Sequence, residues 1–256
     1  MQKRNTQQRR DAIVAWVNEN GHVPVEFLVE HFGTSAVTIR KDLAQLAQQG
    51  RLVREFGGAA PIPFSDNRPT PRLSSQKQAI GRLAASLVQN GHHLVLDCGS
   101  TTTALLPYLT NHQKLVVMTN ALGAAQALTA AENEPTVLMT GGTWDPTSQS
   151  FQGKMAEKMI EAYSFDWAFV GASGLDIQRG TTTLNELTGL SQAMARAAAR
   201  VVVMAESAKL HQKMPNLELP WSAIDILVTD HNLSAEHRHH IEQQGVTVMQ
   251  AASDGE

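Results

Sequence analysis

The stretch VEFLVEHFGTSAVTIRKDLAQLAQQGRLVREFGGA, residues 25–59, decides the fold of the N-terminal part of the chain. Pro24 opens an amphipathic segment that ends at Gly33, and Ser35 can cap a second segment that runs to Gly50. The following RLVREFGGA has the short apolar run and the glycine pair of a hairpin. With an upstream segment that carries apolar residues at helical spacing, this pattern predicts three helices and a β-wing.

The helix predicted after Ser35 has two faces of different chemistry. Its apolar stripe contains Ala36, Ile39, Leu43, Leu46 and Ala47. The opposite face is small, polar and cationic, which fits the major groove of DNA, although any amphipathic helix has a solvated face. A basic wing beside such a helix can lie along phosphates or in the minor groove. We expect Arg40, at the edge of the stripe, to reach a phosphate or an internal carboxylate. The predicted DNA-binding residues are Ser35, Val37, Thr38, Arg40, Lys41, Gln45, Arg51 and Arg54.

The composition of the 256 residues, 42% apolar and 18% charged, is that of a globular protein and excludes a disordered or collagen-like chain. Cys98 is the single cysteine, so no intrachain disulfide can form. The first ten residues lack the apolar run of a signal peptide, and no apolar run approaches the roughly 20 residues of a membrane-spanning helix. We therefore expect a cytoplasmic protein without a membrane partner.

The net charge of −3 is unevenly distributed along the chain. Residues 1–60 contain eight basic and six acidic residues, a balance of +2, and the rest contain thirteen and eighteen, a balance of −5. A basic module joined to a larger acidic body indicates a nucleic-acid-binding head. Between them lies a cluster of four prolines, Pro61, Pro63, Pro69 and Pro71. We predict a winged helix-turn-helix over 1–58, a Pro-rich linker over 59–73 and a second domain over 74–256.

From residue 92 onward, short apolar runs alternate with Ala-rich helical segments such as LSQAMARAAAR, residues 190–200. The runs include HLVLDCGST, KLVVMTN, TVLMTGG, WAFVGASG, RVVVMAES, DILVTD and VTVMQ. This alternation predicts an α/β fold with a doubly covered, mostly parallel sheet. Ligands bind such sheets outside the carboxyl ends of the strands, so the loops after these runs form the candidate site.

The loop DCGST, residues 97–101, is the best candidate among them. Gly99 allows close backbone approach, and free N–H groups and hydroxyls there can hold a phosphate, although a structural strand-to-helix turn has the same composition. The loop is neither a Walker loop nor a dinucleotide fingerprint, so we expect no cofactor. Cys98 has no identifiable base and is better explained by packing than as a nucleophile. The histidines of HRHH, residues 237–240, have no carboxylate or cysteine at ligand spacing, so we expect no metal.

Residues 25–59 closely resemble the winged helix of the DeoR family of bacterial transcription regulators. The family typically has a TIRRDL-like core followed by Gly, Leu, Arg and Gly-Gly-Ala. This chain has TIRKDL over residues 38–43, then Gly50, Leu52, Arg54 and GGA over 57–59. Lys41 stands where arginine is commoner, and lysine cannot make the planar bidentate contact of a guanidinium with guanine. The resemblance implies double-stranded DNA as a partner. One helix reads few base pairs, so we expect a homo-oligomer, either a dimer or a tetramer.

The second domain looks like the sugar-phosphate sensor domain of this family, whose fold is similar to ribose-5-phosphate isomerases and CoA transferases. The resemblance implies that Gly99, Ser100 and Thr101 hold a phosphate. It also implies that Asp97 and Glu186 accept hydrogen bonds from sugar hydroxyls and that Lys209 supplies positive charge. The predicted effector-binding residues are Asp97, Gly99, Ser100, Thr101, Asn120, Gly141, Gly142, Gly153, Gly171, Glu186 and Lys209.

Two positions depart from the family pattern. The family's Asp-x-Ser-Lys stands here as ESAK over 206–209, and Gln192 replaces a basic residue before Ala193-Met194. Loss of that charge implies either a less anionic effector or a substitute cation, Lys77 or Arg82. The stretches SQSFQG and TTTLNE resemble most the regulators of sugar-alcohol and amino-sugar operons, such as the glucitol and N-acetylgalactosamine repressors.

These features predict a DNA-binding repressor of a carbohydrate-utilisation operon that a phosphorylated sugar or sugar alcohol releases from its operator. The main alternative is a sugar-phosphate isomerase or transferase with Glu186 or Glu206 as general base and an accessory DNA-binding head. A third is a ligand-binding scaffold that does not contact DNA. A sensor needs the same groups without catalysis, so we expect a regulator that is not an enzyme.

Overall fold

The computed structural model describes residues 2–20, 23–49, 51–55, 57–60, 73–183, 188–212 and 214–252. The chain divides into two compact units, residues 1–72 and 73–256, which we call the head and the body. Most of the predicted linker lies outside the described residues. Its first two residues belong to a paired strand of the head, so the head extends past the boundary predicted at residue 58. Among the helices of the described residues, none has both the length and the hydrophobicity that crossing a membrane requires.

The head contains the three predicted helices and the predicted wing. The helices are α1 (Gln2–Asn20), α2 (Val25–Phe32) and α3 (Ala36–Gln48). The strands are β1 (Val23–Pro24), β2 (Val53–Glu55) and β3 (Gly58–Ala60), which pair antiparallel in the order β1-β3-β2. Gly33 ends α2 at φ +58°, and the Ser35 hydroxyl caps α3 by accepting the Thr38 N–H at 3.2 Å. The two-residue strand β1 is too short to leave a periodic signal in the sequence.

An ionic contact joins α1 to α3 beside the apolar core of the head. Asp42 is 2% exposed on α3, next to buried Leu43. Its Oδ2 lies 2.7 Å from Arg9 Nη2, and its Oδ1 accepts the Arg10 Nε–H at 2.7 Å. Each carboxylate oxygen therefore has its own guanidinium partner, which is the arrangement that a buried charge requires.

The body is built on a seven-stranded sheet in the order β15-β14-β12-β9-β4-β5-β6, with every pairing parallel. Its strands are β4 (His93–Leu96), β5 (Val116–Thr119), β6 (Thr136–Met139), β9 (Phe165–Gly171), β12 (Ala198–Met204), β14 (Ile226–Thr229) and β15 (Thr247–Gln250). Alternate residues enter two separate cores. Val95 and Val170 belong to one, and Leu96 and Phe169 to the other. The predicted doubly covered parallel sheet is confirmed.

The remaining elements of the body surround this sheet. The helices are α4 (Ser75–Ala85), α5 (Ser100–Thr103), α6 (Leu106–Leu109), α7 (Leu122–Thr129), α8 (Lys154–Glu161), α9 (Thr188–Ala197) and α10 (Ala235–Glu242), with short 3-10 turns at Ser207–His211 and Trp221–Ala223. A hairpin is formed by β7 (Thr143–Asp145) and β8 (Ser150–Gln152). A second antiparallel sheet contains β10 (Gly174–Asp176), β11 (Gly180–Thr183) and β13 (Asn216–Pro220).

The helix predicted over residues 190–200 is too long at its C-terminal end. It ends at Ala197, and Ala198–Met204 is strand β12. Ala198 and Arg200 pair with Phe165 and Trp167 of β9. The Ala-rich composition favours a helix locally, but pairing with β9 outweighs that preference.

Candidate functional site

A cavity of about 200 Å³ lies at the carboxyl ends of β4 and β9 in the body. This is the edge where open α/β sheets bind ligands, as the sequence predicts. Backbone loops supply one part of its lining and side chains from helices and the smaller sheet supply the rest. The lining residues are Lys77, Asp97, Cys98, Gly99, Ser100, Thr101, Gly171, Ala172, Ser173, Thr183, Ser191, Met194, Lys209 and Glu218.

Asp97 joins the ends of the two strands that meet at this cavity. Its Oδ1 accepts the Gly99 N–H at 2.8 Å, and its Oδ2 accepts the Gly171 N–H at 2.7 Å. Burial raises the pKa of Asp97, and hydrogen bonds from Thr102, Gly99 and Gly171 oppose that rise. A Cβ at Gly99 would lie 3.1 Å from Asp97 Oδ1 and 3.5 Å from the Gly171 Cα. The loops that follow β4 and β9 therefore approach each other closely at these two glycines.

Two lysines bring positive charge to the cavity. Lys77 Nζ donates to the Ser100 hydroxyl at 3.0 Å and lies 3.9 Å from Glu206 Oε2. Lys209 Nζ donates to Gln212 Oε1 at 3.0 Å. Of the two cations considered as substitutes at Gln192, Lys77 lines the cavity and Arg82 does not.

Glu218 is a buried acid in the cavity that the sequence analysis missed. It is 5% exposed, and its Oε1 accepts the Ser191 hydroxyl at 2.6 Å. Its Oε2 is buried and has no hydrogen-bond partner within the part of the chain that the structure describes. Burial raises the pKa of Glu218 to about 7; hydrogen bonds with Ser191 and Thr181 oppose the rise, and the charge of Asp97 adds to it. A carboxyl group thus lies inside a cavity that also carries two lysines.

The sequence around Glu218 conceals this burial. In a regular strand, the alternation in NLELP (216–220) places Leu217 and Leu219 on one face and Glu218 on the other, as in a half-exposed strand. The structure buries Glu218 and Leu219 and leaves Leu217 39% exposed. The register of β11 against β13 shifts between Thr181 and Thr182, which breaks the alternation at this point. The one feature of the sequence that could have indicated a buried acid is the position of Glu218 between two leucines in a short extended segment.

The structure brings six of the predicted effector-binding residues together at the cavity: Asp97, Gly99, Ser100, Thr101, Gly171 and Lys209. Four others do not line it: Asn120, Gly141, Gly142 and Gly153. Glu186 lies outside the described residues.

The residues that do not line the cavity support the hairpin β7–β8 and its flanks. Asn120 is fully buried; its side-chain Nδ2 donates to the Phe151 carbonyl, and its backbone carbonyl accepts the Phe151 N–H. Gly142 has φ +113°, and a Cβ there would lie 2.5 Å from the Gln152 carbonyl oxygen. Gly141 and Gly153 also have positive φ values, which favour glycine in their turns. Local backbone geometry therefore accounts for the three glycines.

Glu206 and Cys98 are the candidate general base and the candidate nucleophile whose surroundings the structure describes. Glu206 accepts the Ser74 hydroxyl at 2.9 Å and lies beside Lys77, so it is held at the start of α4. Burial, followed by the charge of Asp97, raises the pKa of the Cys98 thiol to about 11, which disfavours the nucleophilic thiolate. No set of three or more His, Cys, Asp and Glu in the described ranges has the arrangement of a metal site.

The head exposes a small polar surface on α3 and the wing. Val37 is 73% exposed, and Arg40, Lys41 and Arg54 are also exposed. The internal carboxylate of Asp42 is held by Arg9 and Arg10, and Arg40 is exposed. The other predicted contacts are partly engaged within the head. Arg51 Nη1 lies 2.8 Å from Asp11 Oδ1, and the Ser35 and Thr38 hydroxyls are 2.9 Å apart. Gln45 is half-buried.

Two family descriptions match nearly all of the chain outside its ends. A DeoR-like helix-turn-helix domain matches residues 9–62, and a DeoR C-terminal sensor domain matches residues 73–231. The chain belongs to the DeoR family. The family resemblance predicted for residues 25–59 and for the body is therefore confirmed.

Relatives of similar length include DeoR-type regulators from bacteria and an archaeon. The chain is 33% identical over 252 residues to an Escherichia coli O157:H7 protein named for repression of the aga operon, covering 95% of this chain and 93% of the relative. It is 32% identical over 248 residues to the HTH-type transcriptional regulator GlpR of Haloferax volcanii, covering 94% and 96%. It is 34% identical over 175 residues to the glycerol-3-phosphate regulon repressor of E. coli K12, covering 66% and 68%.

A solved structure of ribose 5-phosphate isomerase A from Methanocaldococcus jannaschii overlaps with 52% of this chain and 52% of its own, at 17% identity and a TM-score of 0.37. Its likeness identifies no ligand of this chain.

Proposed function

We propose that this DeoR-family protein represses a carbohydrate-utilisation operon and that a phosphorylated sugar or sugar alcohol releases it from its operator. The observation that carries the proposal is the cavity at the strand ends of the body, where the polar loop 97–101, two lysines and a buried carboxyl meet. The names of the relatives, which include a repressor of the glycerol-3-phosphate regulon, support a role in carbon-source regulation.

The proposed DNA contacts lie on the exposed face of α3 and on the wing. We place Lys41 and Arg40 near base edges or phosphates of the major groove, with the Val37 methyls available to thymine methyl groups. Arg54 on β2 would contact a phosphate. One helix contacts only a few base pairs, so useful specificity requires two heads on paired half-sites and hence a homo-oligomer, as a dimer or a tetramer.

The proposed anion contacts of the effector are hydroxyls and lysines of the cavity lining. Ser100 and Thr101 supply hydroxyls, and Lys77 and Lys209 supply positive charge for a phosphate. Asp97 lies within the same lining, where its oxygens accept hydrogen bonds from Gly99, Gly171 and Thr102, and a carboxylate with about four acceptor sites can accept a further one from a sugar hydroxyl. Effector binding releases DNA if the effector has a higher affinity for the state that does not fit the operator.

We also propose that the protein is not an enzyme. Glu206, one of the two candidate general bases of the isomerase alternative, is held by Ser74 and Lys77 and does not line the cavity. Incubation with aldose and ketose phosphates tests this. Turnover faster than about 1 per second would contradict a purely regulatory role.

The central experiment measures DNA binding and its release together. The full-length protein is mixed with the DNA upstream of its own gene and of neighbouring carbohydrate genes, and retardation is followed as sugar phosphates are added. The double variant Lys41→Ala plus Arg54→Ala should abolish retardation. Lys154→Ala plus Lys158→Ala, which removes the same charge from α8 of the body, should leave it intact. Unchanged retardation with the first variant would refute the assignment of the head.

A further inference from the structure

The cavity of the body has opposite charges on its outer and inner parts. Lys77 is half-buried and contacts Ser100, which is exposed, and Lys209 is also half-buried. Glu218 is buried, together with its partner Ser191. A ligand whose anionic group contacts the lysines therefore shares the cavity with a buried carboxyl.

The inner carboxyl has an unfilled hydrogen-bonding position. The Ser191 hydroxyl donates to Oε1 of Glu218, the Thr181 hydroxyl lies near the carboxyl group, and Oε2 has no partner in hydrogen-bonding geometry among the described residues. Buried polar atoms in folded proteins nearly always have a partner, so an orphaned acceptor in the lining of a cavity calls for a donor from outside the chain. The pKa of about 7 means that Glu218 is largely ionised at pH 8, where its oxygens act only as acceptors.

We propose that Glu218 determines effector specificity by accepting a hydrogen bond from a hydroxyl or amino group at the end of the effector remote from its phosphate. The same carboxylate repels a second anionic group at that end. The ligand class is then sugar or sugar-alcohol monophosphates, and sugar bisphosphates are rejected. This inference rests on the proposed function, because it takes the cavity to be the sugar-phosphate site.

The test compares two classes of probe by isothermal titration calorimetry at pH 8. The probes are hexose, hexitol and 2-amino-2-deoxyhexose 6-phosphates and a hexose 1,6-bisphosphate. The wild-type protein should bind at least one monophosphate more than tenfold tighter than the bisphosphate. Glu218→Gln should weaken that monophosphate about 10- to 100-fold, since a hydrogen bond to a charged group is lost, and should reduce the preference over the bisphosphate to threefold or less. Glu236→Gln, the same change at an exposed site on α10, should alter neither quantity.

Two results would overturn the inference in distinguishable ways. If Glu218→Gln keeps both the affinity and the preference of the wild type, Glu218 does not select the ligand, and the proposed effector site stands. If the wild type binds DNA but none of the probes, the proposed effector class fails and the inference fails with it.

A second variant separates a lost contact from a loss of folding. Glu218→Asp keeps the negative charge and withdraws it by one methylene. It should bind the monophosphate at least tenfold more weakly and still prefer it over the bisphosphate. Circular dichroism checks the fold of both variants, and if Glu218→Gln is unfolded, Glu218→Asp decides. Loss of the preference in a folded Glu218→Asp would overturn the inference.

Discussion

Replacing Glu218 by glutamine should make the protein more stable above neutral pH and change its stability little in mild acid. Glutamine has the shape of glutamic acid and keeps an oxygen for the Ser191 hydroxyl, while its amide takes the place of the unpartnered Oε2. The substitution therefore removes a titration from the interior without leaving a hole.

The sign and size follow from the difference between the folded and unfolded pKa values. The ordinary pKa of a glutamate side chain, which applies to the unfolded chain, is 4.5, and the pKa of Glu218 in the folded protein is about 7. The folded state therefore binds the proton more tightly than the unfolded state does. The resulting stability is fully present below pH 4.5 and is lost as the pH rises through 7. At about 1.4 kcal/mol per pK unit, the loss amounts to roughly 3 kcal/mol, most of it between pH 5 and pH 8.

Urea unfolding at pH 5 and pH 8, followed by tryptophan fluorescence, measures this loss as the difference between wild type and Glu218→Gln. Asp97, Lys77 and Lys209, the charged groups that share the cavity, are present in both proteins and largely cancel in the difference. Glu236→Gln serves as the control. A stability difference that is the same at both pH values would refute the assignment of a buried, proton-binding carboxyl at this position.

Three further predictions concern the head, a helix contact and the thiol. Asp42→Ala should destabilise the head by about 3–5 kcal/mol, because it leaves Arg9 and Arg10 without their carboxylate partner. Asp11→Asn, at an exposed ion pair, should destabilise it by less than about 1 kcal/mol. Equal effects of the two variants in urea unfolding would contradict a buried ionic contact. Gly81→Ala should destabilise the body by roughly 2–4 kcal/mol, since its Cβ would lie 2.2 Å from the Ala104 carbonyl oxygen, while Gly123→Ala, in an open helical position, should stabilise it by up to about 1 kcal/mol. Thermal unfolding distinguishes these two outcomes, and a neutral Gly81→Ala would show that α4 can shift. Cys98, with a pKa of about 11, should react with iodoacetamide at pH 8 about 100-fold more slowly than a free thiol; an equal rate by mass spectrometry would contradict its burial.

The sequence is sufficient for features that depend on neighbouring residues. Gly33 ends α2 in the left-handed conformation and Ser35 caps α3, and both are local signals. The apolar runs that became the parallel strands are continuous because the sheet is covered on both faces. The position of the loop 97–101 could also be predicted, because the continuous apolar run of β4 ends directly before it.

Features that depend on distant residues could not be predicted in this way. Ala198 and Arg200 leave the helical pattern because β9 is available to pair with them. Asn120 is predicted to lie at the effector site, but its side-chain amide and its backbone carbonyl bond to Phe151, thirty-one positions later, and it does not line the cavity. Glu218 enters the cavity only because a register shift against β11 breaks the alternation of its strand. In each case the residue or strand that determines the structure lies far away in the sequence, so the neighbouring residues do not indicate it.

The ion pairs of the head limit how many condensed cations it can displace from DNA. Arg9 and Arg10 are held by Asp42, and Arg51 is paired with Asp11. Arg40, Lys41 and Arg54 are exposed without an ion pair to any described residue, so these three side chains would neutralise about three phosphates for each head. Counterion release by these three side chains then gives a slope of log K against log salt of roughly −3 for one head and about −5 for two. The ionic-strength dependence of operator binding would therefore count the heads on the DNA.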